Sequence, residues 1–168
     1  AAIPFELASA CLATADALNE TDAENVAALG VQQLLNHSLA EEADAAGAFT
    51  VHTLIARTLR YCDASGASRR EQLQAAATQA LIVQMRQATD IRNHARLRPS
   101  LPHAQWLAEG RHDADGLELA GWIGRLELEA GRYRDAERWC RVAYTGSLIL
   151  LGEHHPDTLT SMNNLAST

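Results

Sequence analysis

The sequence contains no lysine: all 14 of its basic residues are arginine. That absence removes the Schiff-base amine and the phosphate-loop lysine together, and no Gly-x-x-x-x-Gly-Lys-Ser/Thr loop can be found. Cysteine is scarce. Cys11, Cys62 and Cys140 lie far apart with no Cys-x-x-Cys pair, which excludes a disulfide framework and a zinc knuckle and points to a reducing compartment. No apolar run approaches the roughly 18 residues of a membrane span. No basic, apolar, cleavable leader is legible, so a cytoplasmic location is expected. Gly-x-Ser-x-Gly is absent, no spaced set of metal ligands occurs, and the carboxylates fall mostly on polar helix faces. An enzyme is not expected, and neither a metal nor a cofactor is expected in this chain.

What remains is a chain of 168 residues, the size of one ordinary domain or of two small ones sharing a continuous core. Alanine is its commonest residue, and with the arginine-only basic set this fits a GC-rich bacterial coding sequence. Net charge is −7, unevenly spread. Residues 1–60 hold eight acids and two arginines, 61–116 six and seven, and 117–168 seven and five. An acidic first third lacks the basic face that displaces counterions from phosphates, which argues against nucleic-acid contact there. Arg86 to Arg98 is modestly basic but spaced like a solvated helix face. The chain begins at Ala1-Ala2-Ile3-Pro4 without methionine and reads as a piece of something longer.

Periodicity gives a mainly α chain. Helices are expected over residues 4–17, with Pro4 in the first turn, and from an Asp22 cap to Asn36, with Val26, Leu29, Leu34 and Leu35 on an apolar face. A small hairpin is expected where Ser38 to Glu42 and Phe49-Thr50-Val51 flank a turn at Gly47. From His52 to Tyr61 the helical period returns, with Leu54, Ile55, Thr58 and Leu59 facing a core. A loop over 63–68 precedes a helix expected from Arg69 to Asn93, which must stop before Pro99. A short helix over Leu101–Leu107 ends at Gly110. Trp106, Trp122 and Trp139 are expected as core anchors.

The last third repeats. Leu119, Ile123, Leu126 and Ala130 advance by 4, 3 and 4 residues, as do Ala136, Cys140, Ala143 and Ser147, and the two faces are joined at Gly131-Arg132-Tyr133. The step from Ile123-Gly124 to Leu165-Ala166 is 42 residues, the period of a stacked helical solenoid. Adjacent His154 and His155 lack spaced partners for a metal, so His154-His155-Pro156-Asp157 reads as a connection between helices.

Two families are resembled. Ala130-Gly131-Arg132-Tyr133-Arg134-Asp135-Ala136, then Leu151-Gly152-Glu153-His154-His155-Pro156-Asp157-Thr158 and Met162-Asn163-Asn164-Leu165-Ala166, resembles the long tetratricopeptide repeat of kinesin light chains. The resemblance covers 117–168 and implies structural roles for Gly124, Gly131, Tyr133, Ala136, Ala143, Gly152, His155, Pro156, Leu165 and Ala166. Ile3 to Leu7, Val31 to Leu39 and Phe49 to Arg57 resemble the latter part of the winged-helix domain of STAND signalling NTPases of the NB-ARC group. Val51-His52-Thr53 falls where that group has Met-His-Asp, so the resemblance gives His52 a contact with bound ADP in a full-length parent. The bland alternative is a histidine at a helix start. Arg96 to Trp106 resembles the helical connector that precedes repeats in such proteins.

The expected organisation is a partial winged helix with a small β-hairpin over 1–62, a helical connector over 63–116, and, over 117–168, one repeat and the first helix of the next in a right-handed solenoid. The preferred function is a non-catalytic regulatory segment of a bacterial STAND NTPase. In it the repeats sense a protein or peptide partner and the winged helix relays this to a switch that binds ADP or ATP in the parent. A free-standing interaction scaffold is the alternative. A weak homodimer through a truncated C-terminal end is also expected.

Overall fold

A computed structural model describes residues 1–44, 47–62 and 66–168. Among these the fold is mainly α with one small three-stranded sheet. They form two compact units, Ala1–Ala80 and Leu81–Thr168, the boundary falling inside the 63–116 segment. No helix among the described residues is long and apolar enough to cross a membrane.

In the first unit a short strand β1 (Ile3–Pro4) leads directly into α1 (Phe5–Asp16). The hairpin strands are β2 (Ala40–Glu42) and β3 (Ala48–Val51), antiparallel, with Ala40 opposite Val51 and Glu42 opposite Phe49. β1 adds to the other side of β3, giving the order β1-β3-β2. Sequence periodicity shows no third strand, because two residues are too few to carry a period and a proline is among them. Pro4 is tolerated because it sits on an edge strand. Gly47 makes the turn at φ +73°, and its carbonyl accepts from Phe5 N–H at 2.8 Å.

α2 spans Glu20–Asn36, starting earlier than the expected Asp22. Asn19 is the cap. Its Oδ1 accepts from Asp22 N–H at 2.9 Å, and its Nδ2 donates to Asp22 Oδ2 at 2.7 Å, a reciprocal pairing that places Asp22 inside the first turn. The buried face differs too: Ala23 and Ala27 are inside, while Val26 and Leu29 are exposed. Small side chains let α1 and α2 pack closely, and the larger residues are rotated outward. α3 spans Thr53–Cys62, and here Leu54 is 76% exposed rather than core-facing, with Thr58 also exposed. The Leu59 side chain lies outside the described part, as do residues 63–65 of the loop expected over 63–68; its remaining residues, 66–68, are already helical.

α4 (Gly66–Met85) is tied to α1 by an Arg69–Asp16 ion pair at 2.6 Å and by Gln72 Nε2 donating to Ala15 O at 2.5 Å. The Arg69 guanidinium holds the Asp16 carboxyl below its ordinary value. The α-helix expected to reach Asn93 stops at Met85 and continues as 3-10 turns over Arg86–Thr89 and Ile91–Asn93. Local side chains capture the backbone here. Asp90, itself extended, accepts from Arg92 N–H at 3.0 Å, and Asn93 Nδ2 donates to Gln87 O at 3.1 Å.

The second unit continues with α5 (His94–Leu97), a 3-10 turn over Arg98–Ser100, and α6 (Leu101–Ala108). Trp106 on α6 is 57% exposed, so it is not a core anchor. α7 (Ala114–Glu129), α8 (Tyr133–Leu151) and α9 (Pro156–Ala166) follow, α7 packing along α8 and α9 lying against α8 and touching α7. Leu119, Ile123 and Leu126 are buried on α7, and Ala136, Trp139, Cys140, Ala143 and Ser147 on α8. Ala130 is exposed because it caps α7.

α1 ends at Ala17 in the left-handed region, φ 53°, where a Cβ is unfavourable and the residue is exposed. Ala17→Gly is expected to stabilise the chain by about 1 kcal/mol in urea titration, and a loss of stability would show that Ala17 packs usefully.

Candidate functional site

The site is built on the α7–α8 hairpin. Asp113 caps α7, its Oδ1 accepting from Gly116 N–H at 3.3 Å. Its carboxyl is held below the ordinary value of 3.8, first by the side-chain hydrogen bonds of Arg111. A depressed carboxyl stabilises the fold above its unfolded pKa, and that contribution fades as the pH falls through the lower folded value.

At the other end α7 closes with Gly131 at φ +74°. Gly131 N–H donates to Leu128 O and Arg132 N–H to Glu127 O, both at 2.9 Å, the Schellman arrangement that only a left-handed residue at this position permits. Beneath the turn the Glu127 side chain, 3% exposed, pairs with Arg132 Nε and accepts from Gln105 Nε2 at 3.4 Å.

The helices cross closely at two glycines. A Cβ on Gly124 would stand 2.6 Å from Cys140 Sγ and 3.0 Å from Cys140 N, and one on Gly146 would stand 2.2 Å from Leu117 Cδ2. Gly121 is near Ala143, 3.9 Å from a built Cβ to the alanine methyl. Burial pushes the Cys140 thiol above its ordinary value, consistent with a packing role.

α8 ends at Gly152, φ +88°, and α9 starts at Pro156 with His155 as its cap. His155 Nδ1 accepts from Asp157 N–H at 3.2 Å, so this nitrogen carries no proton in the capped arrangement. His154 is exposed, with its Nε2 3.2 Å from Glu153 Oε1. Among the described residues no group of three or more His, Cys, Asp or Glu is placed to hold a metal ion.

Between α7 and α9 runs an open groove of about 460 Å³. Asp115, Glu118, Trp122 and Arg125 form its α7 wall, and Asp157, Thr160, Ser161 and Asn164 its α9 wall, with Arg86, Ser147 and Leu151 closing the ends and floor. Arg86 Nε and Nη2 both donate to Glu118 Oε1, at 3.0 and 2.8 Å, and Trp122 Nε1 donates to the same oxygen at 3.2 Å. Arg125 Nε donates to Glu129 Oε1 at 3.0 Å. Thr160 Oγ1 donates to Pro156 O and Ser161 Oγ to Asp157 O, at 2.9 and 2.8 Å.

The sequence-marked residues therefore divide. Gly124, Ala136 and Ala143 meet in the hairpin interface, and Gly131, Gly152, His155 and Pro156 shape the two connections. Tyr133, first residue of α8, is 60% exposed; Leu165 is half-buried and Ala166 exposed. His52 belongs to the first unit. It is exposed, its backbone N–H donates to Leu39 O at 3.1 Å, and its Nε2 lies 3.5 Å from Glu41 Oε1. None of these lines the groove, whereas Trp122, expected as a core anchor, is half-buried in its α7 wall. The groove residues were legible only as polar positions at helical spacing, 115, 118, 122 and 125 facing 157, 160, 161 and 164, a stripe that a search for apolar periodicity passes over. Gly146 was missed for a different reason: a glycine's packing role depends on what crosses it.

No protein-family model matches the chain, and no curated protein or solved structure matches it.

Gly124→Ala is expected to cost about 2 kcal/mol in chemical denaturation, because the obstructing atoms include α8 backbone; a neutral result would mean the crossing can open freely. His155→Ala is expected to cost about 1 kcal/mol as a lost cap. Adding zinc or nickel should leave the melting temperature of the unaltered chain unchanged. An increase that His155→Ala removes would overturn the capping role.

Proposed function

We propose that this chain is a non-catalytic regulatory and protein-interaction segment, in which the helical stack formed by α7, α8 and α9 holds a protein or peptide partner in the α7–α9 groove. The observation that carries the reading is the groove itself. Two helices present polar stripes to the same open channel, while the apolar stripe of α7, Leu119, Ile123 and Leu126, is buried. On the resemblances in the sequence, the repeats are tetratricopeptide-like and the segment belongs to a bacterial cytoplasmic STAND NTPase. The sheet-bearing unit is then the latter part of a winged helix that relays occupancy to an ADP- or ATP-binding switch elsewhere in the parent. Such a relay needs a partner that binds two arrangements of the parent unequally. The exposed side chains of Leu148, Ile149, Leu150, Leu159 and Met162 are assigned to helix contact, with a second copy of the chain as a weak partner.

A random-peptide selection on the purified chain should enrich sequences whose affinity falls at least about tenfold when Ser161→Trp fills the groove, a loss of about 1.4 kcal/mol. Enrichment indifferent to that substitution would remove the groove from the reading. Calorimetry with ADP should show no saturable heat, since the chain has no lysine and no phosphate loop. A micromolar affinity would overturn the non-catalytic assignment and bring His52 forward as a ligand.

A further inference from the structure

The groove's charges and hydrogen-bonding groups define what it can hold. Its two cations are already engaged: Arg86 by Glu118, which also lines the groove, and Arg125 by Glu129. Two carboxylates are not neutralised in this way. Asp115, half-buried, makes no hydrogen bond or ion pair among the described residues. Arg111 feels its charge only as the least of the causes that act on it, being held first by Asp113. Asp157 lies 3.7 Å from His155 Nδ1, but that nitrogen is accepting from a backbone N–H and has no proton to offer. The α9 hydroxyls add to the imbalance. Thr160 and Ser161 spend their protons on helix carbonyls, so each turns lone pairs to the groove. Trp122 spends its N–H on Glu118 and leaves an apolar wall. The uncompensated groups are thus chiefly acceptors, two of them carboxylates, and the Asn164 amide is a neutral donor among them.

We propose that the groove takes an extended peptide segment bearing arginine or lysine side chains, one cation reaching Asp115 and another Asp157, with the Asn164 side chain meeting the peptide backbone. This rests on the interaction reading above and deepens it: the partner is basic. An acidic segment would have to displace Glu118 and Glu129 from their arginines while facing two free carboxylates, and like charge in a groove costs affinity. A cation instead adds charge-assisted hydrogen bonds to acceptors that already face the channel.

The test is fluorescence anisotropy of the whole chain with three labelled, end-blocked decapeptides, identical except for two central residues that are Arg, Ala or Glu. The Arg probe should bind, and the Glu probe at least about tenfold more weakly. Asp115→Asn should weaken the Arg probe about tenfold, since that carboxylate is half-buried, and the more exposed Asp157→Asn only a few-fold. Raising the salt concentration should weaken the Arg probe and not the Ala probe. Absence of Arg-probe binding, or equal binding by the double variant, would overturn the proposal. If the Ala or Glu probe binds better than the Arg probe and Ser161→Trp abolishes that binding, the basic assignment fails while the interaction reading stands. If Ser161→Trp leaves the Arg probe untouched, the peptide is bound elsewhere and both fail.

Discussion

The close crossing of α7 and α8 is the constraint on which the second unit depends. A glycine on each helix removes the Cβ that would hold the other away, Gly124 where Cys140 approaches and Gly146 where Leu117 fills the gap. Close approach accompanies the burial of Ala136, Cys140 and Ala143 on α8 and of Leu119, Ile123 and Leu126 on α7. Interiors are packed too densely to absorb even one added carbon without a shift of neighbouring atoms. Because α9 leans on α8 while the groove lies between α9 and α7, the spacing of the hairpin sets the width of the groove.

The turn beneath that hairpin is held by a buried carboxylate. Removing Glu127 from water is unfavourable, and the Arg132 pair and the Gln105 hydrogen bond offset it. The three residues come from α6, α7 and the α7–α8 turn, so satisfying the charge requires all three elements in one arrangement. An apolar residue at 127 would fill the space but would not demand that Arg132 fold back across Gly131. The buried ion pair thus ties these three elements to one arrangement.

How much was legible in the sequence followed the kind of signal each element carries. α7 and α8 were readable because their apolar residues recur at helical spacing, and the Gly131 and His155-Pro156 connections because a left-handed glycine and a proline in the first turn have specific backbone requirements. Where side-chain hydrogen bonds compete with the helix, the reading failed. Asp90 and Asn93 break what looks like one long helix, and Asn19 moves the start of α2 upstream. Burial failed where size and partner disagree. Ala23 and Ala27 were chosen over Val26 and Leu29 by the helix opposite, and Trp106 stayed outside despite its area. The groove is a property of two helices 42 residues apart in register, and neither polar stripe has meaning until both face the same channel.

The hydroxyls of Thr160 and Ser161 have a kinetic consequence. Each is fastened to a carbonyl one turn earlier in its own helix, so its rotamer is chosen before anything enters the groove. A wall already set in its bound arrangement loses little side-chain freedom on complex formation, and association need not wait for it to organise. Occupants of like charge would then enter such a channel at similar rates and be distinguished by how long each one stays.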